Sequence, residues 1–307
     1  MNRFIRVLTF VIACSAMPAF ASPSGATDRD GGNDCINPHV DWGDAPEGVL
    51  AYPGVIGKFP TCRQMNVVGT QEIPPGCPPI STFPGITGHI FHRPSQSGLE
   101  YWMGCYSDAN GQPMGIDFDP EGRMNQPAQG FSFCGNFPTD CVENAYGLTF
   151  DQDECLGDGS DAGVTSSLEF STCTPAKVTF TTSSCSATPH PVFLNVLIDL
   201  NHDGDWNDAV LCDGACTYEW AVKNLNIVLA PGCGVITTPS FRPGPTPGPS
   251  WMRISLTDAP VSLDYPWTGA AGEGGVEGGE TEDYPALVQQ AVPVLPSTWG
   301  GVKASYR

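Results

Sequence analysis

Twelve cysteines at positions 35, 62, 77, 105, 134, 141, 155, 173, 185, 212, 216 and 233 constrain this chain more than any other feature. No two of them form a CxxC pair, the usual spacing of a structural zinc site. An even set of this size, in a chain that leaves the cytoplasm, reads as a framework of six disulfides with no free thiol. Each bridge stabilises a fold by roughly 2–4 kcal/mol. Local pairing predicts Cys173 with Cys185, and Cys212 with Cys216 around an Asp213-Gly214 turn.

Export is the expectation from the first 21 residues. Arg3 and Arg6 form a positive start, an apolar run follows, and Ala19-Phe20-Ala21 is a small-x-small cleavage site. A thirteenth cysteine, Cys14, lies in that run, and Val11-Ile12-Ala13-Cys14 is the alternative, a lipoprotein box. Either way the product is secreted or held at the cell surface, and no later segment has the 18 apolar residues of a membrane span. Without Arg3 and Arg6 the formal charge of −20 becomes −22. Such a charge excludes nucleic acid as a partner, because phosphates are held by basic side chains. It suits solubility and the binding of cations.

Glycine (36) and proline (30) make up over a fifth of the chain, and no long stretch repeats apolar residues at helical spacing. That predicts an all-β protein of short strands and many turns. Residues 22–34 read as a flexible lead-in, and 35–165 as a turn-rich, disulfide-stapled region with "SGLEYWMGCY" and "GFSFCGNF" as its best strands. From 166 to 288 the strand signal sharpens into a β-sandwich or jelly roll, followed by a tail over 289–307. In "VFLNVLID", Leu194, Val196 and Ile198 share one face, opposite Phe193, Asn195, Leu197 and Asp199. The stretch "PSFRPGPTPGPS" (239–250) reads as an exposed loop of polyproline character.

One of these strands runs into "IDLNHDGDWND", where four aspartates and two asparagines fill positions 199–208. Asp199, Asn201, Asp203 and Asp205 alternate, and Gly204 permits a sharp turn. Calcium takes six to eight oxygens, and a D-x-N-x-D-G loop gathers side-chain oxygens around one point. The loop departs from an EF-hand, since Val210 stands where a bidentate carboxylate belongs, and Asp208 is the nearest substitute.

Three blocks in order, "LNVLIDLNHDGDWND", "SWMRISL" and "GGETEDYPALV", resemble the GEVED domain, a β-sandwich module of secreted bacterial proteins. Thr281 stands where the name-giving valine would be, and "DWGDAPEG" (41–48) resembles the segment that precedes such domains. The resemblance implies fold and export rather than a reaction. If the Gly-Glu-Thr-Glu-Asp strand lies beside the acidic loop, Glu280, Glu282 and Asp283 join the calcium ligands.

The remaining clusters are weaker. Asp117, Asp119 and Glu121, and the acids of 150–163, read as solvated loops or second cation sites. His89 and His92 are too few for a catalytic zinc. No H-E-x-x-H, G-x-S-x-G or phosphate-binding glycine loop occurs. Trp206 and Trp267 are expected at the surface, where indoles stack on sugar rings. The ending "WGGVKASYR" is a candidate sorting signal or a frayed terminus. Together these features predict an exported, calcium-binding, non-catalytic binding or structural module, with an extracellular glycan or surface protein as its partner class. The alternative is an exported hydrolase of an extracellular polymer with the sandwich as accessory domain.

Overall fold

The computed structural model describes residues 41–43, 45–61, 69–85, 88–93, 101–105, 163–164, 168–184, 186–269 and 276–291. The chain divides into Met1–Gly31 and Gly32–Arg307, and every described residue belongs to the second unit. The leader, the lead-in, the tail, "GFSFCGNF", the acids at 117–121 and 151–161, and Cys14, Cys35, Cys62, Cys134, Cys141, Cys155 and Cys185 lie outside the described residues.

The fold is all-β. In chain order the described strands are β1 (Asp41–Trp42), β2 (Glu47–Tyr52), β3 (Val55–Lys58), β4 (Phe91–Arg93) and β5 (Tyr101–Met103). Then follow β6 (Leu168–Ser171), β7 (Thr179–Ser184), β8 (His190–Ile198), β9 (Ala209–Cys212), β10 (Ala215–Tyr218) and β11 (Trp220–Leu229). The last are β12 (Gly232–Thr237), β13 (Gly248–Thr257), β14 (Val276–Glu277) and β15 (Glu280–Gln289). A single helical turn, α1 (Tyr265–Thr268), interrupts them. No helix among the described residues is long and apolar enough to cross a membrane.

The largest sheet has the order β11-β8-β13-β15-β6, antiparallel except for the parallel β15–β6 pair. On one face Leu194, Val196 and Ile198 of β8 and Met252, Ile254 and Leu256 of β13 are buried together with Tyr101, Met103, Val178 and Phe180. Those last residues come from or adjoin the sheet β12-β7-β5, so two sheets sandwich one core. The opposite face is buried too. Leu197, Trp220 and Trp251 pack against Ala45, Tyr52, Phe59, Ile90, Trp206 and Tyr265. A strand covered on both faces accounts for the near-continuous apolar run at 192–198. Strands from the 35–165 region are built into this architecture: β5 pairs with β7, and β4 lies between β1 and β14.

The described disulfides join Cys77 to Cys216, Cys105 to Cys233 and Cys173 to Cys212. Both local pairings expected from sequence are therefore corrected. In the β9–β10 hairpin Cys216 stands opposite Leu211, while Cys212 stands opposite Ala215. Neighbouring strand positions face opposite sides, so the two thiols of this hairpin diverge. Cys212 turns inward to Cys173, and Cys216 turns out to the 69–77 segment. Non-reducing peptide mapping is expected to recover the 77–216 and 173–212 links; a 212–216 or 173–185 peptide would refute them.

The proline-rich stretch is also less exposed than its composition suggests. Phe241, Pro243 and Gly244 are buried. Phe241 exchanges backbone hydrogen bonds with Ala176, and a Cβ on Gly244 would stand 2.1 Å from the Leu200 carbonyl oxygen. The middle of the stretch is packed, and its exposed residues are Pro239, Ser240, Pro245–Pro247 and Pro249.

Candidate metal centre

The acidic stretch begins where β8 ends. Asp199 is fully buried and acts as the nucleus of the turn. Its Oδ1 accepts His202 N–H (2.6 Å), and its Oδ2 accepts Gly204 N–H (2.9 Å) and the Tyr52 hydroxyl (2.9 Å). Gly204 has φ +92°, and a Cβ there would meet the Ile56 carbonyl oxygen at 2.8 Å, so only glycine fits beneath β3. Asn201 Oδ1 accepts Asp203 N–H, Asp203 Oδ1 accepts Asp205 N–H, and Asp205 Oδ1 accepts Asn207 N–H. Each side chain thus caps the backbone two residues on, which explains the alternate spacing. These turns need only a side-chain carbonyl oxygen, as Asn201 shows. They do not explain why so many of the positions are charged.

The charge is concentrated. Asp199, Asp203 and Glu219 offer oxygens all within 4.8 Å of one another, and so do Asp203, Asp205 and Asp208. Asp199, Asp205, Asp208 and Glu219 are buried, and Asp203 is half-buried. Lys58 stands 3.6 Å from both Asp203 and Asp205. Among the described residues, five carboxylates thus gather beside one ammonium. Burial, followed by repulsion from Asp203, lifts Asp199 to about 7. Burial with repulsion from Asp203 and Asp208 lifts Asp205 to about 8. Asp208 rises to about 7, mainly through burial, and Glu219 is pushed well above the usual carboxylate range by burial and by Asp199.

Two segments that sequence reasoning missed complete the centre. Glu219 enters between β10 and β11, where its N–H donates to the Asp208 carbonyl oxygen. Its Oε1 accepts Leu200 N–H and its Oε2 accepts Asp208 N–H, both at 2.9 Å. Counting outward from the Asp213-Gly214 turn places Glu219 opposite Asp208, so a hairpin reading could have found it. The 69–72 segment covers the other side. Thr70 N–H donates to Asp205 and Glu72 N–H to Asp208, while Gln71 Nε2 donates to the Asn207 carbonyl oxygen. No sequence signal marks that segment.

Asp199, Asp203, Asp205 and Asp208 are brought together, and Asn201 joins them through Nδ2, 2.7 Å from Asp208 Oδ2. Glu280, Glu282 and Asp283 are not brought to the loop. They lie on β15, with β13 between them and β8, and Glu280 is in register with Leu256, which faces Leu194. Five residues along β8, roughly 17 Å, separate Leu194 from Asp199. Glu280 instead accepts Met103 N–H, and Asp283 pairs with Arg253. Trp206 and Trp267 are corrected as well, for both are buried. Trp206 packs at a tilt against Phe59 with ring centres 4.3 Å apart, and Trp267 against Phe83 at 4.6 Å; their burial leaves neither indole open to a sugar. His92 is buried between the Gly278 carbonyl oxygen and Thr281 Oγ1, at 2.9 and 2.7 Å. Burial depresses it to about 4, and it links β4 to the Gly-Glu-Thr turn.

No family model matches the chain, and no curated protein matches it. Among solved structures it is similar to the CARDB domain of a Pyrococcus furiosus protein in complex with di-metal ions: 12% identity, 41% of this chain, 87% of that one, TM-score 0.23. It is also similar to native alpha-2-macroglobulin from Escherichia coli, at 13% identity and TM-score 0.22, covering 40% of this chain and 15% of that one. A third is a Pseudomonas fluorescens alkylpurine DNA glycosylase bound to DNA, at 12% identity and TM-score 0.21, covering 40% of this chain and 28% of that one. Likeness at this level does not establish a shared fold.

Proposed function

We propose that this chain is an exported, calcium-binding, non-catalytic module of the GEVED type, serving a binding or structural role at the bacterial surface or outside the cell. The observation that carries the cation reading is the set of five carboxylates gathered, among the described residues, against a single ammonium. Two carboxylates 4 Å apart repel by roughly 4 kcal/mol at an effective dielectric near 20. A cation among them turns that repulsion into attraction. The donors are all oxygens, which suits a hard cation rather than zinc. Oxygens mutually within 4.8 Å fit a sphere of 2.3–2.6 Å bonds. A protein-built cage favours calcium over magnesium, which keeps more of its water. The disulfides support export, because such bonds persist in oxidising compartments. Most carboxylates of the cluster also accept backbone N–H groups, an arrangement suited to holding structure.

Calcium is then expected to raise the thermal midpoint relative to chelator. At a hundredfold excess over the dissociation constant the gain is about 2.7 kcal/mol. Asp203→Ala is expected to remove most of it, since Asp203 belongs to both ligand groups. An unchanged wild-type midpoint would defeat the reading, and equal shifts in both proteins would move the site elsewhere.

A further inference from the structure

We infer that this centre takes two divalent cations bridged by Asp203, an inference that rests on the cation-binding reading above. The ligand groups are distinct: Asp199 and Glu219 belong only to the first, Asp205 and Asp208 only to the second, and Asp203 to both. A carboxylate shared between two cations is a usual device of paired-metal sites, where the ions stand about 3.5–4 Å apart.

Two further observations point the same way. Asn207 is buried, and its Nδ2 donates to Asp205 Oδ1 at 2.6 Å, so its amide adjoins the second group. Its Oδ1 is buried with no hydrogen-bond partner. A buried acceptor without a donor is costly, and an amide oxygen is a normal calcium ligand. The charge count is the second observation. Among the described residues, five carboxylates less the Lys58 ammonium leave four negative charges. With all five ionised, one divalent cation leaves two charges to be neutralised by protons in a mostly buried cluster; two cations leave none. Glu72 also repels Asp203 and Asp208, but it is exposed, so solvent screens its charge.

The two ions also knit different parts of the chain. The first ties the end of β8 to the β10–β11 junction through Asp199 and Glu219. The second sits under the 69–72 segment, whose N–H groups already hold Asp205 and Asp208.

Native mass spectrometry and calorimetric titration of the oxidised chain with calcium at pH 8 test the inference. Two calcium ions per chain are expected. Glu219→Gln and Asp208→Asn are each expected to leave one, and Asp203→Asn to weaken both at least tenfold. One ion per wild-type chain would overturn the inference and leave the cation-binding reading standing. Two ions lost together on replacing Glu219 or Asp208 alone, in protein still folded by circular dichroism, would overturn it equally. No bound calcium would overturn both. The wild-type stoichiometry decides even where a variant fails to fold.

Discussion

Arg253→Ala is expected to destabilise the protein by about 3–5 kcal/mol, the usual cost of leaving one partner of a buried ion pair uncompensated. Arg253 and Asp283 face each other across β13 and β15, and both are buried. Arg253 Nε donates to Asp283 Oδ1 at 2.6 Å, and Nη2 stands 2.5 Å from Oδ2, a bidentate pair. The guanidinium also donates to the Pro60 carbonyl oxygen and Thr61 Oγ1, both at 2.9 Å, and lies 4.6 Å over the Trp206 ring. Asp283 Oδ2 accepts Ala45 N–H at 2.7 Å. Gly43 packs on the same pair, where a Cβ would come within 2.4 Å of Arg253 Nη2. The pair therefore pins the 43–45 and 60–61 segments to the large sheet. An apolar replacement of both residues often rescues a buried ion pair. Here Arg253→Met with Asp283→Leu is expected to stay destabilised, because the Ala45 N–H and Thr61 Oγ1 lose these partners, although the Pro60 oxygen keeps Ile90 N–H. Denaturant unfolding of both variants checks this. A loss below about 1 kcal/mol in the single variant, or full recovery in the double one, would contradict it.

The second large effect is the pH dependence of the metal-free protein. Asp199, Asp205 and Asp208 are held at about 7, 8 and 7 in the fold, against an ordinary aspartate value near 3.9 in the unfolded chain. A raised acid binds more protons folded than unfolded, so stability falls as pH rises between those values. The histidines act oppositely at lower pH. His92, His190 and His202 are depressed, chiefly by burial, and remove stability as pH falls below about 6.5. Between pH 6.5 and 8 the carboxylate loss outweighs the histidine gain, which fades by about pH 7.5 as the unfolded imidazoles lose their protons. In chelator, stability is expected to drop across that window by on the order of 2 kcal/mol. Saturating calcium replaces the protons, so the stabilisation it brings should grow with pH over the same range. Thermal midpoints at pH 6.5, 7, 7.5 and 8, with calcium and with chelator, measure both slopes. A metal-free midpoint that is flat or rising across the window would contradict the strained cluster.

Local chemistry was legible in the sequence wherever neighbours along the chain decide the outcome. The all-β character followed from glycine and proline density and from two-residue alternation. Leu194, Val196 and Ile198 do share one core face, and the turn after Asp199 does use its alternate Asp and Asn side chains. Both depend on the strand pleat and on short-range hydrogen bonds. What the sequence left open depends on distance across the sheet. Whether the Gly-Glu-Thr-Glu-Asp strand meets the acidic loop turns on strand order, and β13 stands between. Trp206 and Trp267 carry no mark of burial, because an indole suits a core as well as a surface, and only the second layer over the sheet covers them. The disulfides were misassigned for the same reason. A cysteine reaches whatever lies within about 4.4–6.8 Å of its Cα, and folding brought Cys77 and Cys216, 139 residues apart, closer than sequence neighbours could suggest. The charge of the loop was thus written in the chain, while the fifth carboxylate, the lysine that faces it and the segment that covers it were decided by tertiary packing alone.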